Sequence, residues 1–425
     1  MMEKSLRFIQ CGDLHLGSPF RRLPELSDRW RQIVGNAPLK AFQKIVQIAV
    51  EKDVHALFVC GDIYTGAEHN LAAQLDYVRQ LHTLAQHKIA VFMVAGNHDP
   101  LNLWKAEIPF PPNVHVFSAA APERVPLLVD GVEAAAVYGQ SYGQREVREN
   151  LARRFKRGAD DRYAIALLHT QVDGGDSPYA PSSLADLTAT GMDYWALGHV
   201  HKEAVLQQDP YVVYAGNPQG LDRTETGPRG CYYVEVGPYG SAKLQFIDTS
   251  VVRWQEAEIA IDELYSTAQL REAVRHLKED LRRSFGKPVF LNLTFTGVGQ
   301  LYSVLNDGDA VRYWLDAWQE EEKGKYAFVM IDRLHNRTRP PLNSSERSRL
   351  PDMLGDYLRA ADTLSQLPDG ERLDKLREIL AQRPEFDRLG EYGRNLGDAR
   401  ILGAFERAKW LGMERLMAGK KGTGQ

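Results

Sequence analysis

Short apolar runs alternate with amphipathic segments through the first 250 residues of this 425-residue chain. The runs RFIQC, ALFVC and VFMVA have the length of buried strands, and each is followed by glycine. The segments between them, 39–52 and 71–88, space their apolar residues three and four apart and therefore predict helices. This order of strand, helix, strand, helix and strand predicts a largely parallel sheet with helices packed on it.

A denser series of strand-like runs follows, with few helical segments between them. It predicts a second sheet packed against the first, so the expected fold class is α/β with two sheets flanked by helices. These runs lie at residues 114–118, 133–140, 164–169, 194–198, 211–215, 230–236 and 243–248.

The pattern changes near residue 251, where a smaller α+β unit is predicted. A linker is expected next, at 333–351, because this segment contains Pro-Pro, Asn-Ser-Ser and five arginines. Residues 352–417 are charged and helical in pattern, which gives three expected parts at 1–250, 251–335 and 336–425. The elements predicted for the α+β unit are strands at 252–261, 288–296 and 326–332 and helices at 264–284 and 308–322.

Composition and charge restrict the binding partners and the cellular compartment that we expect for the protein. A formal net charge of -4 gives the whole chain no basic footprint for nucleic acid, so DNA affinity would have to come from local patches or a partner. The three cysteines lie in apolar strand-like runs without a CxxC spacing, which predicts free core thiols in a reducing compartment. No signal-type segment opens the chain, and no apolar stretch approaches about 18 residues, so we expect a cytoplasmic protein and no membrane span.

Polar clusters follow the apolar runs and supply the candidate chemistry. In open α/β sheets functional groups gather beyond the carboxyl ends of the strands, so clusters in this position are expected to form one site. A single Asp or His after a strand is a weak signal, whereas six clusters in order are a strong one. The clusters contain Asp13, His15, Asp62, Asn97, His98, Asp99, His169, His199, His201 and Asn217.

The residue types indicate a site for two divalent metal ions. Aspartate, histidine and asparagine suit Mn, Fe or Zn, and the absence of cysteine from the clusters argues against a structural zinc site. Two ions about 3.5–4 Å apart usually share a bridging carboxylate, hold phosphate oxygens and acidify water. We expect Asp62 to be the bridge. One ion would be held by Asp13, His15 and His201, and the other by Asn97, His169 and His199.

His98 adjoins a predicted ligand but is not needed as one. We expect it to stabilise charge on a phosphate oxygen or to protonate the leaving alkoxide, with Asp99 holding its ring. The alternatives are a neutral His98 that satisfies the loop backbone and an Asp99 that caps the following turn. His69, close to Asp62 in sequence, is a further candidate to line the cleft.

Three other features have a functional and a structural interpretation. Asn217 and Gln219 could orient water or contact a phosphate backbone, although the sequence GNPQG equally predicts a tight turn. The apolar face of the helix predicted at 401–417 could close the protein's own core or dock on a partner helix. The densest basic stretch suits either phosphate contact or a solvated linker, and its arginines are Arg333, Arg337, Arg339, Arg347 and Arg349.

The motifs also match a known family in type and order. DLH at 13–15, GD at 61–62, GNHD at 96–99, His169 and GHVH at 198–201 resemble the calcineurin-like metallophosphoesterases. The segment YAGNPQG…ETGPRGCYYVEV at 214–236 is similar to the SbcD-like branch of bacterial DNA repair exonucleases.

This resemblance implies a two-sheet sandwich flanked by helices, with a small α+β capping domain and a helical C-terminal segment. It implies the metal ligands given above, with Mn²⁺ as the expected ion. It further implies a DNA exonuclease or endonuclease of repair whose C-terminal helices bind an SMC-like ATPase, and the branch suggests a homodimer.

Two rival functions stay open at the level of sequence. The site could serve small phosphodiesters or phosphomonoesters such as cyclic nucleotides, and salt-sensitive binding of duplex DNA would separate that function from a nuclease. The protein could instead be a non-enzymatic scaffold for the ATPase, although the complete set of ligand residues argues against this.

Overall fold

The computed structural model describes residues 5–18, 20, 28–65, 71–103, 108–341, 348–349, 351–387, 393 and 396–421. The strands are β1 Leu6–Cys11, β2 Ala56–Cys60, β3 Ala90–Val94, β4 Val114–Val116, β5 Glu123–Val129, β6 Val132–Gln140, β7 Ala164–His169, β8 Tyr194–Gly198, β9 Ala204–Gln208, β10 Tyr211–Tyr214, β11 Gly230–Val236, β12 Ala242–Asp248, β13 Arg253–Ala260, β14 Val289–Thr296 and β15 Val329–Asn336. The helices are α1 Asp28–Gly35, α2 Ala37–Glu51, α3 Leu71–Gln86, α4 Leu184–Ala189, α5 Thr267–Phe285, α6 Tyr302–Leu305, α7 Gly308–Glu320, α8 Met353–Ser365, α9 Asp369–Ala381, α10 Pro384–Asp387 and α11 Asp398–Lys421, with 3-10 turns at Leu101–Leu103 and Leu151–Arg154.

One mixed sheet has the strand order β12-β11-β1-β2-β3-β4. Strands β1 to β4 are parallel, and β11 and β12 extend the sheet antiparallel on the other side of β1. Helices α2 and α3 cover one face, where Phe42, Ile45 and Leu81 pack with Ile9 and Leu57. The predicted β-α-β-α-β unit is therefore confirmed.

A second mixed sheet has the order β5-β6-β7-β8-β10-β9. Its four central strands are parallel neighbours, and β5 and β9 are antiparallel at the two edges. Val137, Leu167 and Ala196 of this sheet pack with Phe8 and Phe58 of the first sheet in one buried core. The predicted architecture of two sheets flanked by helices is confirmed.

The structure corrects which strands belong to the second sheet. The predicted runs at 114–118, 230–236 and 243–248 pair in the first sheet instead, as β4, β11 and β12. A hydrophobic pattern identifies a strand but does not specify its neighbour. The pairing of β11 with β1 places Phe8 opposite Val234, and no local pattern records so distant a contact.

Strands β5 and β9 are absent from the sequence prediction because both lie at sheet edges. Leu128 of β5 and Val205 and Leu206 of β9 are exposed, so neither strand forms a continuous buried run. Strand β5 also contains Pro126, and proline within a sheet is confined to edges and bulges because it cannot donate a backbone hydrogen bond. These features lower the strand signal of both segments.

The described residues divide into two compact units. The first takes those up to residue 257, together with 277–293 and 317–334, and the second takes 258–276, 294–316 and those from 335 onward. The predicted division into three parts stays a prediction, because these units divide the 251–335 segment itself.

A separate three-stranded sheet has the order β13-β14-β15. Strand β15 runs to Asn336, and the amides of Arg337 and Arg339 still donate to backbone carbonyls at the end of β14. The linker predicted at 333–351 is therefore wrong over its first residues. Exposed arginines and a histidine alternate there with less exposed residues, and this polar outer face hides the strand pattern.

Helices α8 and α11 of the second unit pack through Leu354, Leu358 and Met413, with Trp410 against them. Part of the apolar face predicted at 401–417 therefore serves the core of its own unit. Leu411 on the same helix stays 42% exposed, and binding of a partner there stays a prediction. Among the helices of the described residues, none has both the length and the apolar composition that a membrane crossing requires.

Gln10 is a buried polar residue of β1 that joins the two main sheets. Its Nε2 donates to the carbonyls of Leu197 at 3.3 Å and Val213 at 2.9 Å. The Tyr194 hydroxyl donates to its Oε1 at 2.6 Å. A satisfied buried polar network of this kind specifies one arrangement of the sheets, because shifting them would leave the same groups unpaired.

We predict that Gln10→Leu lowers the free energy of unfolding by about 1–3 kcal/mol, because the change leaves buried carbonyl and hydroxyl groups without this partner. Urea unfolding followed by circular dichroism measures the change. Gln245→Leu, at an exposed position of β12, is the matched control and should alter stability far less. A Gln10→Leu protein as stable as wild type would contradict the proposed role.

Candidate metal centre

The predicted ligands all lie at the carboxyl ends of parallel strands. Strands β1, β2 and β3 belong to one main sheet, and β7 and β8 belong to the other, so both sheets contribute to the same place. The structure brings all seven residues together through the contacts described below. They are Asp13 and His15 after β1, Asp62 after β2, Asn97 after β3, His169 at the end of β7, and His199 and His201 after β8.

Four of these residues have a left-handed backbone conformation. The φ angle is 50° at Asp13, 46° at His15, 52° at Asp62 and 100° at His199. Positive φ at non-glycine residues costs on the order of 1–3 kcal/mol each and concentrates at functional sites. The Asp13 amide donates to the Gly61 carbonyl at 2.9 Å, and the His15 amide donates to the Asp62 carbonyl at 3.0 Å. Hydrogen bonds between neighbouring strand ends thus hold the turns that carry these candidate ligands.

Two motif glycines allow the strand ends to approach each other. A Cβ atom on Gly198 would lie 1.8 Å from the Cys60 carbonyl oxygen, and one on Gly96 would lie 2.2 Å from Asp62 Oδ1. The Cys60 carbonyl is itself needed, since His169 Nδ1 donates to it at 2.9 Å. A side chain at either glycine would therefore displace a candidate ligand or its support.

Asp13, His15 and His201 form the first donor group, with ligand atoms within 4.8 Å of one another. The Nε2 atoms of the two histidines are 3.1 Å apart. Their Nδ1 atoms face outer partners, the Thr65 hydroxyl at 2.9 Å and the Glu225 carboxylate at 2.5 Å. Because a carboxylate only accepts, Nδ1 of His201 carries a proton, and Nε2 is the nitrogen that faces His15. Burial works against the charge of His201, but Glu225, Asp13 and Asp62 raise its pKa.

Asn97, His169 and His199 form the second donor group. Asn97 Oδ1 lies 2.9 Å from His169 Nε2 and 3.2 Å from His199 Nδ1. His169 Nδ1 donates to the Cys60 carbonyl, so Nε2 is the nitrogen that faces the Asn97 oxygen. The carboxylates adjoin this group: ligand atoms of Asp13, Asp62 and His169 lie within 4.8 Å of one another. Asp13 thus has candidate metal-ligand partners on both sides, and the bridging role of Asp62 stays a prediction.

The protonation states of these residues fit a divalent metal. Burial lowers the pKa of His15 and of His199 to about 3, so both rings are neutral near pH 7. Burial, with a smaller contribution from Asp62, raises the pKa of Asp13 to about 6. Burial works against the charge of Asp62 as well, but His169 and the neighbouring histidines hold its pKa below the usual range. Neutral imidazoles and carboxylates that converge on one place are the donors that Mn²⁺, Fe²⁺ or Zn²⁺ requires.

His98 and Asp99 lie in the same loop but make different contacts. The His98 amide donates to Asp62 Oδ1 at 2.8 Å, and its half-buried ring lies edge-on to the His15 ring with centroids 5.1 Å apart. Asp99 is fully buried, and its carboxylate accepts from the backbone amides of Asp62, Ile63, Tyr64 and Gly96. Asp99 therefore braces the loop after β2 against the loop after β3, and its action on the His98 ring stays a prediction.

Asn217 and Gln219 are almost completely buried and are bound to the protein itself. The Asn217 side chain donates to Glu225 at 3.2 Å and accepts from Arg229 at 3.1 Å. Gln219 hydrogen bonds the backbone of Gly220 and of residues 251 and 252. Both side chains therefore stabilise the local fold through hydrogen bonds within the protein, and we do not propose either as a substrate contact.

The candidate arginines lie on exposed positions of or beyond β15. Arg333, Arg337 and Arg339 are all exposed, and contact with substrate stays a prediction for each. Arg349 is exposed too. His69 and Arg347 lie outside the described residues.

Glu225 contacts the first donor group, and the sequence analysis did not predict it. Its carboxylate accepts from His201 Nδ1 and also from the amides of Leu221 at 2.6 Å and Asp222 at 3.2 Å. His201 and these hydrogen bonds outweigh burial and lower the pKa of Glu225 to about 2, so the residue is anionic. The only signal in the sequence was its place in ETGPRG, a segment that contains no predicted ligand and no strand end.

Known proteins resemble this chain over the same region. Residues 6–203 match the calcineurin-like phosphoesterase family. The chain is also 33% identical over 387 residues to the uncharacterized metallophosphoesterase YhaO of Bacillus subtilis (strain 168), which is 86% of this chain and 94% of that protein. This chain belongs to the calcineurin-like phosphoesterase family. By family it is a metal-dependent phosphoester hydrolase, and its Asp and His groups could hold the metal.

More distant relatives of this phosphoesterase carry the name DNA double-strand break repair protein Mre11. That of Haloferax volcanii is 27% identical over 282 residues, which is 63% of this chain and 58% of that protein. That of Sulfolobus acidocaldarius is 21% identical over 379 residues, which is 83% of this chain and 90% of that protein. The phosphoesterase thus spans less than two thirds of the Haloferax relative and most of the Sulfolobus one.

We predict that Asp62→Asn reduces the number of divalent ions bound per chain, because it removes a buried carboxylate charge from the donor groups. Metal analysis of protein loaded with Mn²⁺ and then desalted measures this number. Asp173→Asn, at an exposed position in the loop after β7, is the matched control and should keep the wild-type content. Full occupancy in Asp62→Asn would show that this carboxylate is not a ligand.

Proposed function

We propose that this phosphoesterase is a two-metal, Mn²⁺-dependent phosphodiesterase that acts on DNA, as an exonuclease or endonuclease of repair. It would belong to the SbcD-like branch and work in the cytoplasm as the nuclease subunit of a complex with an SMC-like ATPase. The observation that supports this most is the pair of converging donor groups, with Asp62 among them. The names of the distant relatives supply DNA as the substrate class.

In this proposal the two donor groups hold one ion each. When bound, the pair of ions neutralises the phosphate oxygens and acidifies a water molecule for attack on phosphorus. The residues of the chain supply the rest. Neutral His15 and His199 offer lone pairs, ionised Asp13 and Asp62 balance the charge, and the strained backbone fixes all four before substrate arrives.

His98 is the proposed acid of the reaction. Its backbone is fixed by the hydrogen bond from its amide to Asp62, while its half-buried ring keeps access to solvent and to substrate. An imidazole in this position can donate a proton to the oxygen that leaves phosphorus, or hold charge on a phosphate oxygen. Asp99 holds the loop in place by accepting hydrogen bonds from the backbone amides of Asp62, Ile63 and Gly96.

The second unit is the proposed partner-binding part. Its helices α8 and α11 share a small core of Leu354, Leu358 and Met413, which leaves apolar side chains such as Leu411 and, on α9, Ile379 at the surface. A helical segment with its own core and remaining exposed apolar residues suits docking on the helices of an ATPase.

We predict that wild type cleaves both end-labelled linear duplex DNA and bis(p-nitrophenyl) phosphate in Mn²⁺, and that His98→Ala lowers turnover of both by about 100-fold or more, because a general acid of this kind contributes 10²–10⁴-fold. Metal content should stay at the wild-type level, since His98 is not a predicted ligand. His82→Ala, exposed on α3, is the control and should cleave like wild type.

Each outcome of this assay separates the proposed function from a rival. Cleavage of the small diester alone, with and without the ATPase, would favour a small-molecule phosphodiesterase. No cleavage of either substrate by metal-loaded wild type would favour a scaffold. Loss of both metal and activity in His98→Ala would reassign His98 as a ligand.

We predict that Arg337→Ala and Arg339→Ala each weaken binding of duplex DNA without changing hydrolysis of the small diester. Each phosphate contact that is lost should make the slope of log K against log salt shallower by about 0.9. Fluorescence anisotropy over a series of salt concentrations measures this slope. Arg312→Ala, exposed on α7, is the control. Slopes equal to that of wild type would show that these arginines are solvated surface residues that make no phosphate contact.

A further inference from the structure

The 217–229 loop, which follows β10, is bound to the first donor group at one side. Glu225 accepts from His201 Nδ1, and Asn217 donates to the same carboxylate oxygen at 3.2 Å. Arg229 donates to the His201 carbonyl and to Asn217 Oδ1. The Asn217 amide also donates to the His201 carbonyl at 3.1 Å. His201 is thus held by both its ring and its backbone.

The same loop is bound to the three-stranded sheet at its other side. Trp254 of β13 donates through Nε1 to the Gly220 carbonyl at 3.2 Å, and its own carbonyl accepts from the Gly227 amide at 3.0 Å. Asn292 of β14 donates to the Arg223 carbonyl at 3.4 Å. Arg223 also forms an ion pair of 3.4 Å with Asp332 of β15, whose side chain is only 2% exposed. All of these residues belong to the first unit.

We propose that Glu225 is the positioning residue of His201 and that, through the 217–229 loop, the three-stranded sheet sets the metal affinity of the first donor group. The inference rests on the proposed function only in taking the site to bind divalent metal. Glu225 fixes the tautomer of His201 with Nε2 facing inward, and its charge makes that nitrogen a better donor. The loop fixes Glu225 in turn, since its carboxylate is also bound by the amides of Leu221 and Asp222.

Among the contacts of the described residues, two of the three members of the second donor group have no hydrogen bond with the loop. His169 is oriented by the Cys60 carbonyl at the end of β2, and Asn97 follows β3. The positions of both residues therefore depend on the sheet that contains β1 to β4 and not on the loop. Disturbing the loop should therefore weaken binding of one ion and leave the other unchanged. A general loss of stability would weaken both ions, so this asymmetry distinguishes positioning from a merely structural role.

The test is a calorimetric titration of metal-free full-length protein with Mn²⁺. Glu225→Gln keeps the size of the side chain and removes its charge, and it should raise the Kd of one ion by about 10–100-fold, as loss of an outer hydrogen-bond partner of a ligand does. Asp332→Asn, which removes the charge of the remote ion pair, should weaken the same ion. Electron paramagnetic resonance at two Mn²⁺ per chain provides a second readout. Wild type should give the signal of two coupled Mn²⁺ ions, and the variants should give the signal of isolated Mn²⁺.

Matched controls are available for both variants. Glu235→Gln changes an exposed carboxylate of β11. Asp161→Asn changes a carboxylate that pairs with Arg124 and is also 2% exposed in its side chain, but which has no hydrogen bond or ion pair with the loop among the contacts of the described residues. Neither control should change either Kd. Thermal melting in EDTA checks that each variant folds. If Glu225→Gln does not fold, Asn217→Ala, which removes another hydrogen bond to the Glu225 carboxylate, tests the same positioning role.

The outcomes separate this inference from the function it rests on. Wild type that binds no Mn²⁺ would contradict the proposed function. Wild type that binds two ions, with both Kd values unchanged in Glu225→Gln, would overturn the positioning role alone. An equal rise in both Kd values in Glu225→Gln would make Glu225 a structural residue. Unchanged Kd values in Asp332→Asn would show that the three-stranded sheet does not influence the metal site.

Discussion

Histidine, asparagine and aspartate side chains that converge at the strand ends of two sheets are the constraint around which this phosphoesterase is organised. His15 and His201 approach to 3.1 Å through Nε2 atoms, and His169 Nε2 approaches Asn97 Oδ1 at 2.9 Å. Each contact is a hydrogen bond when a proton lies between its two atoms, and a bound divalent cation would satisfy the same atoms in place of that proton. Burial keeps His15 uncharged near pH 7, and a neutral imidazole beside ionised carboxylates is a donor set that could hold a divalent cation.

The rest of the fold maintains this arrangement. Two sheets place the carboxyl ends of their parallel strands side by side, and motif glycines such as Gly96 and Gly198 let those ends come close. Left-handed backbone at four candidate ligands stores strain that the hydrogen bonds between strand ends offset. The carboxylates of Asp99 and Glu225 stabilise the loops. Asp99 is buried and accepts from backbone amides, whereas Glu225 is partly buried and binds both backbone amides and the ring of His201. Ligand geometry is therefore a property of the whole core.

The sequence predicted those parts of the molecule that follow from local patterns. Buried strands such as β2 and β8 are continuous apolar runs, and the predicted ligands Asp62 and His199 follow them closely, where the structure brings the donor groups together. Edge strands β5 and β9 were missed because exposure and Pro126 weaken the run, and β11 was placed in the wrong sheet because its partner β1 is distant in sequence. Glu225 was missed because its role depends on a contact with His201 that only the folded loop creates.

Crystals grown with Mn²⁺ and measured at the manganese absorption edge would test the central claim most directly. Two anomalous peaks about 3.5–4 Å apart are expected, the spacing of two-metal phosphoesterase sites. One should adjoin Nε2 of His15 and His201, and the other should adjoin Asn97 and His169. A single peak, or peaks away from these atoms, would contradict the account of a two-metal centre formed by the strand ends of both sheets.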